Sequence, residues 1–218
     1  MNFARATNEE ILFQAGLRIN NSLNDSKVLN AVSLMGYTEA KLQEGAVLLQ
    51  DATSLYETQK KEYGEVDEAQ QQFEDARKAA HKNYMNLLSI ARIAFKNNVQ
   101  ASATLDLNGK RASTISGWLK QTLGFYRAIM ANEEWKTALA AYGQTEDKLT
   151  TELAAVNGVM EAAEAVKKEK GDAQNATQER DEKIEELVDW VTDYEVIARI
   201  ALTDKPQLLE KLGIVVKA

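Results

Sequence analysis

Apolar residues recur at alternating steps of three and four along most of this chain. Val28, Val32, Met35, Leu42, Ala46 and Leu49 mark one stripe, and Phe73, Ala80, Tyr84, Leu87, Ala91 and Ala94 a second. Trp135, Leu139, Tyr142, Leu149, Leu153, Val156 and Met160 mark a third. Such spacing belongs to helices packed as a bundle or antiparallel coiled coil; a half-buried strand would alternate strictly. Thr7-Asn8-Glu9-Glu10 has the form of a capping box and opens a predicted helix over 8–22. Asn24-Asp25-Ser26 then breaks and recaps the chain. The unbroken stripe predicts a long helix over 26–62, a turn at Gly64 and a return helix over 66–97. The same signals predict helices over 114–131, 133–169 and 173–203. Ser113 or Thr114 is the second cap and Gly171 the second turn. Asp204-Lys205-Pro206 reads as the final stop, because a residue before proline disfavours the α region.

The two sets of predictions coincide because the sequence repeats itself at an offset of 107 without gaps. Gly36-Tyr-Thr-Glu-Ala-Lys-Leu42 falls on Gly143-Gln-Thr-Glu-Asp-Lys-Leu149. Lys60-Lys-Glu-Tyr-Gly64 falls on Lys167-Lys-Glu-Lys-Gly171, and Ile90-Ala-Arg-Ile-Ala94 on Ile197-Ala-Arg-Ile-Ala201. Biased composition scatters matches, but it does not cluster them in one register. The predicted fold is therefore all-α: an elongated antiparallel helical bundle of two tandem copies of one unit, a short helix followed by a long helical hairpin. Residues 1–110 form the first helical repeat and 111–218 the second, packed together as one domain.

Two charges interrupt the apolar stripes. Glu39 and Glu146 occupy positions otherwise apolar, and a buried lone carboxylate must find a cation or a proton. With turns at Gly64 and Gly171, Gly36 lies level with Arg92 and Gly143 level with Arg199, each 28 residues from its turn. Glu39–Arg92 and Glu146–Arg199 are thus predicted ion pairs that fix register, within a hairpin or exchanged between copies. The competing reading is a charged chamber of the same four residues that binds an anion, a small polar ligand or a metal. Gly36 and Gly143 read as points of close helix approach.

Composition narrows the chemistry. The net charge of −7 argues against non-specific nucleic-acid binding, and Arg77, Lys78, His81 and Lys82 read as a solvated basic face. There is no cysteine and one histidine, which removes thiolate sites, a histidine-based triad and most zinc sites. A carboxylate-bridged metal pair wants Glu-x-x-His on two helices, and neither copy has it. No phosphate-binding glycine motif is present, and Asp106-Leu-Asn108-Gly109 reads as a turn between copies, not a calcium loop. The acidic run Glu179, Asp181, Glu182, Glu185, Glu186, Asp189, Asp193 and Glu195 reads as a solvated face. Trp118, Leu119, Tyr126, Ile129 and Met130 form an apolar face that packs inward or meets a membrane surface.

No apolar run is long enough to span a membrane, and the first residues lack the pattern of a signal peptide. The expectation is a cytoplasmic, non-enzymatic helical interaction or scaffold protein that binds a protein partner through its surface and needs no cofactor or metal. Assembly with further copies is compatible with this. The alternative is a small-ligand or metal-binding bundle with its site at the level of Glu39, Arg92, Glu146 and Arg199; a helical protein that rearranges on membranes comes third.

Overall fold

The computed structural model describes residues 3–215. Every regular element among them is helical. After a single 3-10 turn at Phe3–Arg5 come α1 (Asn8–Asn24), α2 (Ser26–Ser33), α3 (Glu39–Ala94) and α4 (Val99–Thr104). There follow α5 (Ile115–Met130), α6 (Glu133–Ala140), α7 (Glu146–Ala201) and α8 (Pro206–Lys211). The second four mirror the first: α2 starts at 26 and α6 at 133, α3 at 39 and α7 at 146, α4 at 99 and α8 at 206. The expected caps are in place. Thr7 Oγ1 accepts from Glu10 N at 3.3 Å, Thr114 Oγ1 from Gly117 N at 3.2 Å, and the Asp25 side chain opens α2.

The hairpins are not. Gly64 and Gly171 lie inside α3 and α7, two uninterrupted helices of 56 residues each, so the predicted boundaries at 62/66 and 169/173 are corrected. One glycine costs a helix interior about 1 kcal/mol, and the Glu, Lys, Gln and Ala residues on either side easily carry the helix through it. The chain turns elsewhere, at Gly36 and Gly143, whose φ values of +87° and +74° suit glycine and strain other residues. Each glycine closes the preceding short helix: Tyr37 N donates to Val32 O at 3.0 Å, and Gln144 N to Leu139 O at 3.2 Å. Two residues on, Thr38 and Thr145 cap the long helices, accepting from Lys41 N at 3.4 Å and Lys148 N at 3.3 Å. The repeated Gly-x-Thr-Glu block is therefore a stop followed by a start. Nothing lies within 4 Å of a Cβ built at Gly36 or Gly143, so neither is a close-approach point. That role belongs to Gly45, where a Cβ would meet the Trp190 ring at 2.5 Å.

The last turns also differ. Pro206 does not follow the final helix but begins α8, at its first position, where a missing N–H costs nothing. The segments after α4 and α8 close alike, Leu107 N donating to Ser102 O and Ile214 N to Leu209 O, each at 3.0 Å. Gly213 supplies the left-handed residue in one, and Asp106, at φ 49°, in the other.

Two compact units result, and they are not the two sequence copies: Met1–Tyr63 with Gly171–Ala218, and Gly64–Lys170. Each unit takes one half of α3 and one half of α7. In the first, Leu42 shares a core with Tyr194 and Ala198, while Ala52 shares one with Ile184 and Leu187, so the helix halves run antiparallel. Helices α1, α2 and α8 complete it through Ile19, Val28 and Leu209. In the second, Tyr84, Leu87 and Ala91 pack with Leu149 and Val156, beneath Trp118, Tyr126 and Ile129 of α5. The predicted apolar face of α5 is thus core. Each fully buried Leu, Ile or Val stabilises by about 1.5–3 kcal/mol.

Candidate functional site

Neither predicted ion pair forms. Glu39 is the first residue of α3 and Arg92 is near its last, and Glu146 and Arg199 occupy the same places in α7. All four are exposed. A carboxylate at a helix start faces the positive end of the peptide dipoles, which accounts for Glu39 and Glu146 without burial. Lys136 Nζ reaches Glu146 Oε1 at 2.8 Å. The repeated arginines hold the chain beyond the long helices: Arg92 Nε donates to Leu107 O at 2.7 Å, and Arg199 Nη1 to Val215 O at 3.2 Å.

The polar groups that are buried lie elsewhere, and they differ between the units. In the first unit Arg18 is fully buried. Its Nη2 donates to Glu195 Oε2 at 3.1 Å and its Nη1 to Gln14 O and Oε1 at 2.9 Å each. Arg199 Nη2 takes the other oxygen, Glu195 Oε1, at 2.6 Å. Burial pushes the Glu195 carboxyl up, but the two guanidiniums more than offset it and leave it below its ordinary value. Ser22 donates to Arg18 O at 2.6 Å and shares a hydrogen bond with the Tyr194 hydroxyl. Glu195 thus leaves the acidic face of α7, whose other seven carboxylates are exposed as expected.

In the second unit the Tyr126 hydroxyl donates to Glu152 Oε2 at 3.0 Å, both residues buried. Burial raises the Glu152 carboxyl, only partly countered by that bond and by Lys148. Burial, with the carboxyl beside it, pushes the Tyr126 phenol far up. Arg111 bonds the Tyr84 hydroxyl and pairs with Asp106 Oδ2 at 3.2 Å, fixing the loop before α5. His81 Nδ1 accepts from Trp118 Nε1 at 3.0 Å.

None of these groups combines a nucleophile with a base and an orienting partner. What both units share is an exposed apolar end. Ile93 is 63% exposed and Ile200, its counterpart, 54%; Met35 and Tyr142 are a second such pair, at 47% and 49%. In each unit these residues sit where the turn into a long helix meets the end of the other, as Tyr37 does with Ala198 and Leu202. The apolar stripe that contains Met35 and Tyr142 concealed them, because its continuation through the turn is only apparent. No protein-family model, curated protein sequence or solved structure matches this chain.

Proposed function

We propose that the chain is a non-enzymatic helical interaction protein, a tandem duplication of one sequence unit, which binds a protein partner through the apolar ends that the duplication repeats. The observation that carries this reading is the isoleucine pair. In Ile-Ala-Arg-Ile-Ala, Ile90 and Ile197 pack on the cores, Ala91 and Ala198 are fully buried, and the arginines hold the following loops. Only Ile93 and Ile200 stand in solvent with no internal task. An apolar side chain kept out of the core at the same place twice is what a docking surface requires, since binding gains come from apolar area removed from water. The correspondence of helix starts at one offset supports the duplication, and with it the view that these ends serve one purpose. The single histidine already accepts from Trp118, which leaves little for acid–base catalysis.

A photo-crosslinking side chain placed at 93 or 200 in the native host tests the proposal. The expected result is one crosslinked partner, recovered from both positions. Ile93→Ser with Ile200→Ser should abolish capture by a neighbouring crosslinker, while leaving helicity unchanged and stability within about 0.5 kcal/mol. Undiminished capture by the double variant would sink the proposal.

A further inference from the structure

The second unit contains a cleft of about 510 Å³ between α3 and the start of α5, with Phe73, Ala112 and Trp118 on its apolar wall and Arg77, Lys78 and His81 along its edge. Such a volume suits a small organic molecule. The sister unit shows that the fold does not require this opening. One offset away, Ile11 stands for Trp118, Ile184 for Arg77 and Val188 for His81, and those three pack into a closed apolar core. Two charged or titratable side chains thus replace core aliphatics, on a helix face that the other copy seals.

The charges are available. Arg77 and Lys78 make no ion pair or hydrogen bond with any described residue. Glu74, the carboxylate that also lines the cleft, already accepts from Gln70 Nε2 at 2.8 Å. The Trp118 ring is held by its bond to His81, so its position in the wall is set before any ligand arrives.

We propose that this cleft binds a small planar aromatic anion, its ring against the half-buried Phe73 and the rim that Trp118 closes from beneath, and its charge against Arg77 and Lys78. A planar guanidinium matches a carboxylate with two parallel hydrogen bonds, and an aromatic ring gains from offset contact with the phenyl group of Phe73. The proposal is independent of the partner-binding ends, which lie on other residues.

The test uses the full chain and 2-naphthoate, followed by the indole N–H resonance of Trp118 and by calorimetry. That resonance is assigned by its loss in Trp118→Phe. The expected result is a saturable shift with a Kd of roughly 1 mM or tighter, the range a ligand of this size reaches. Neutral 2-naphthalenemethanol should bind at least about tenfold more weakly. Arg77→Ala with Lys78→Ala, one half-buried and one exposed position, should weaken 2-naphthoate by a similar factor, while the urea midpoint and helicity of the double variant check that it still folds. No saturable shift up to about 10 mM, equal binding of the neutral compound, or unchanged binding by the double variant would each overturn the proposal.

Discussion

Arg18, buried completely, meets Glu195 at 3.1 Å across 177 positions of sequence. The pair ties α1 to the end of α7 within the first unit, but the two partners are unequally supported. Glu195 has a second guanidinium, Arg199, and is 15% exposed; Arg18 has no other carboxylate among the described residues.

Truncation should therefore be asymmetric. Glu195→Leu strands a buried guanidinium and should cost about 3–5 kcal/mol. Arg18→Met leaves Glu195 paired to Arg199 and should cost about 1–3 kcal/mol. The double variant should cost less than the sum, and a double-mutant cycle in urea measures the coupling. Equal costs for the two single variants would contradict the geometry.

Glu195 and Glu152, one partly buried and one buried, predict opposite pH slopes. Glu195 is held below its ordinary value of 4.5, so the unfolded chain takes up this proton more readily. Its contribution is intact above pH 4.5 and is lost as pH falls through the depressed value. Glu152 is raised above 4.5, so the folded chain takes up the proton first. That contribution is present at low pH and is lost as pH rises from 4.5 through the raised value. Glu152→Gln keeps an acceptor for the Tyr126 hydroxyl and cannot ionise. It should raise the midpoint of thermal unfolding at pH 7 and leave it nearly unchanged at pH 3.5. Glu195→Gln should flatten the acid limb instead. Melting curves from pH 3 to 8 check both, and a Glu152→Gln effect that is equal at the two ends of that range would refute the assignment.

Glycine substitutions separate the helix breaks from the helix interiors. Gly36 and Gly143 have positive φ, where alanine is strained by about 1–2 kcal/mol. Gly64 and Gly171 are helical with open space around a built Cβ, so alanine should stabilise by about 0.5–1 kcal/mol. Urea midpoints of the four single variants decide it. If Gly64→Ala destabilised the protein, the hairpin turn would return in place of the continuous helix.

Those glycines also mark what the sequence revealed and what it hid. Helix content and the capping threonines were readable, since each rests on local chemistry. The turn was misplaced because an apolar stripe crosses Gly36 in register, Met35 before it and Leu42 after it, although Met35 is solvent-facing. Gly36-x-Thr38 held the correct signal, a left-handed stop followed by an N-cap. With the turn moved, Glu39 and Arg92 went to opposite ends of one helix. The real buried charge was marked too: Arg18 stands between Ala15 and Ser22 on the face that also carries Ile11 and Ile19. Its partner was not, because no local rule links residues 177 positions apart.

The hydrogen bond from Trp118 to His81 supplies a last test. The indole N–H is only a donor, so Nδ1 of His81 must carry a lone pair, and the proton sits on Nε2. His81→Ala removes the acceptor beside a ring that is 2% exposed. Leaving such a donor unpaired costs about 1–3 kcal/mol, and the open cleft, which admits water, favours the lower part of that range. His81→Gln places a carbonyl oxygen within reach and should recover about half. Urea midpoints, with exchange of the Trp118 indole proton as the local probe, distinguish these outcomes. If His81→Ala matched the wild type in both measurements, the bond would hold neither the ring nor the wall of the cleft in place.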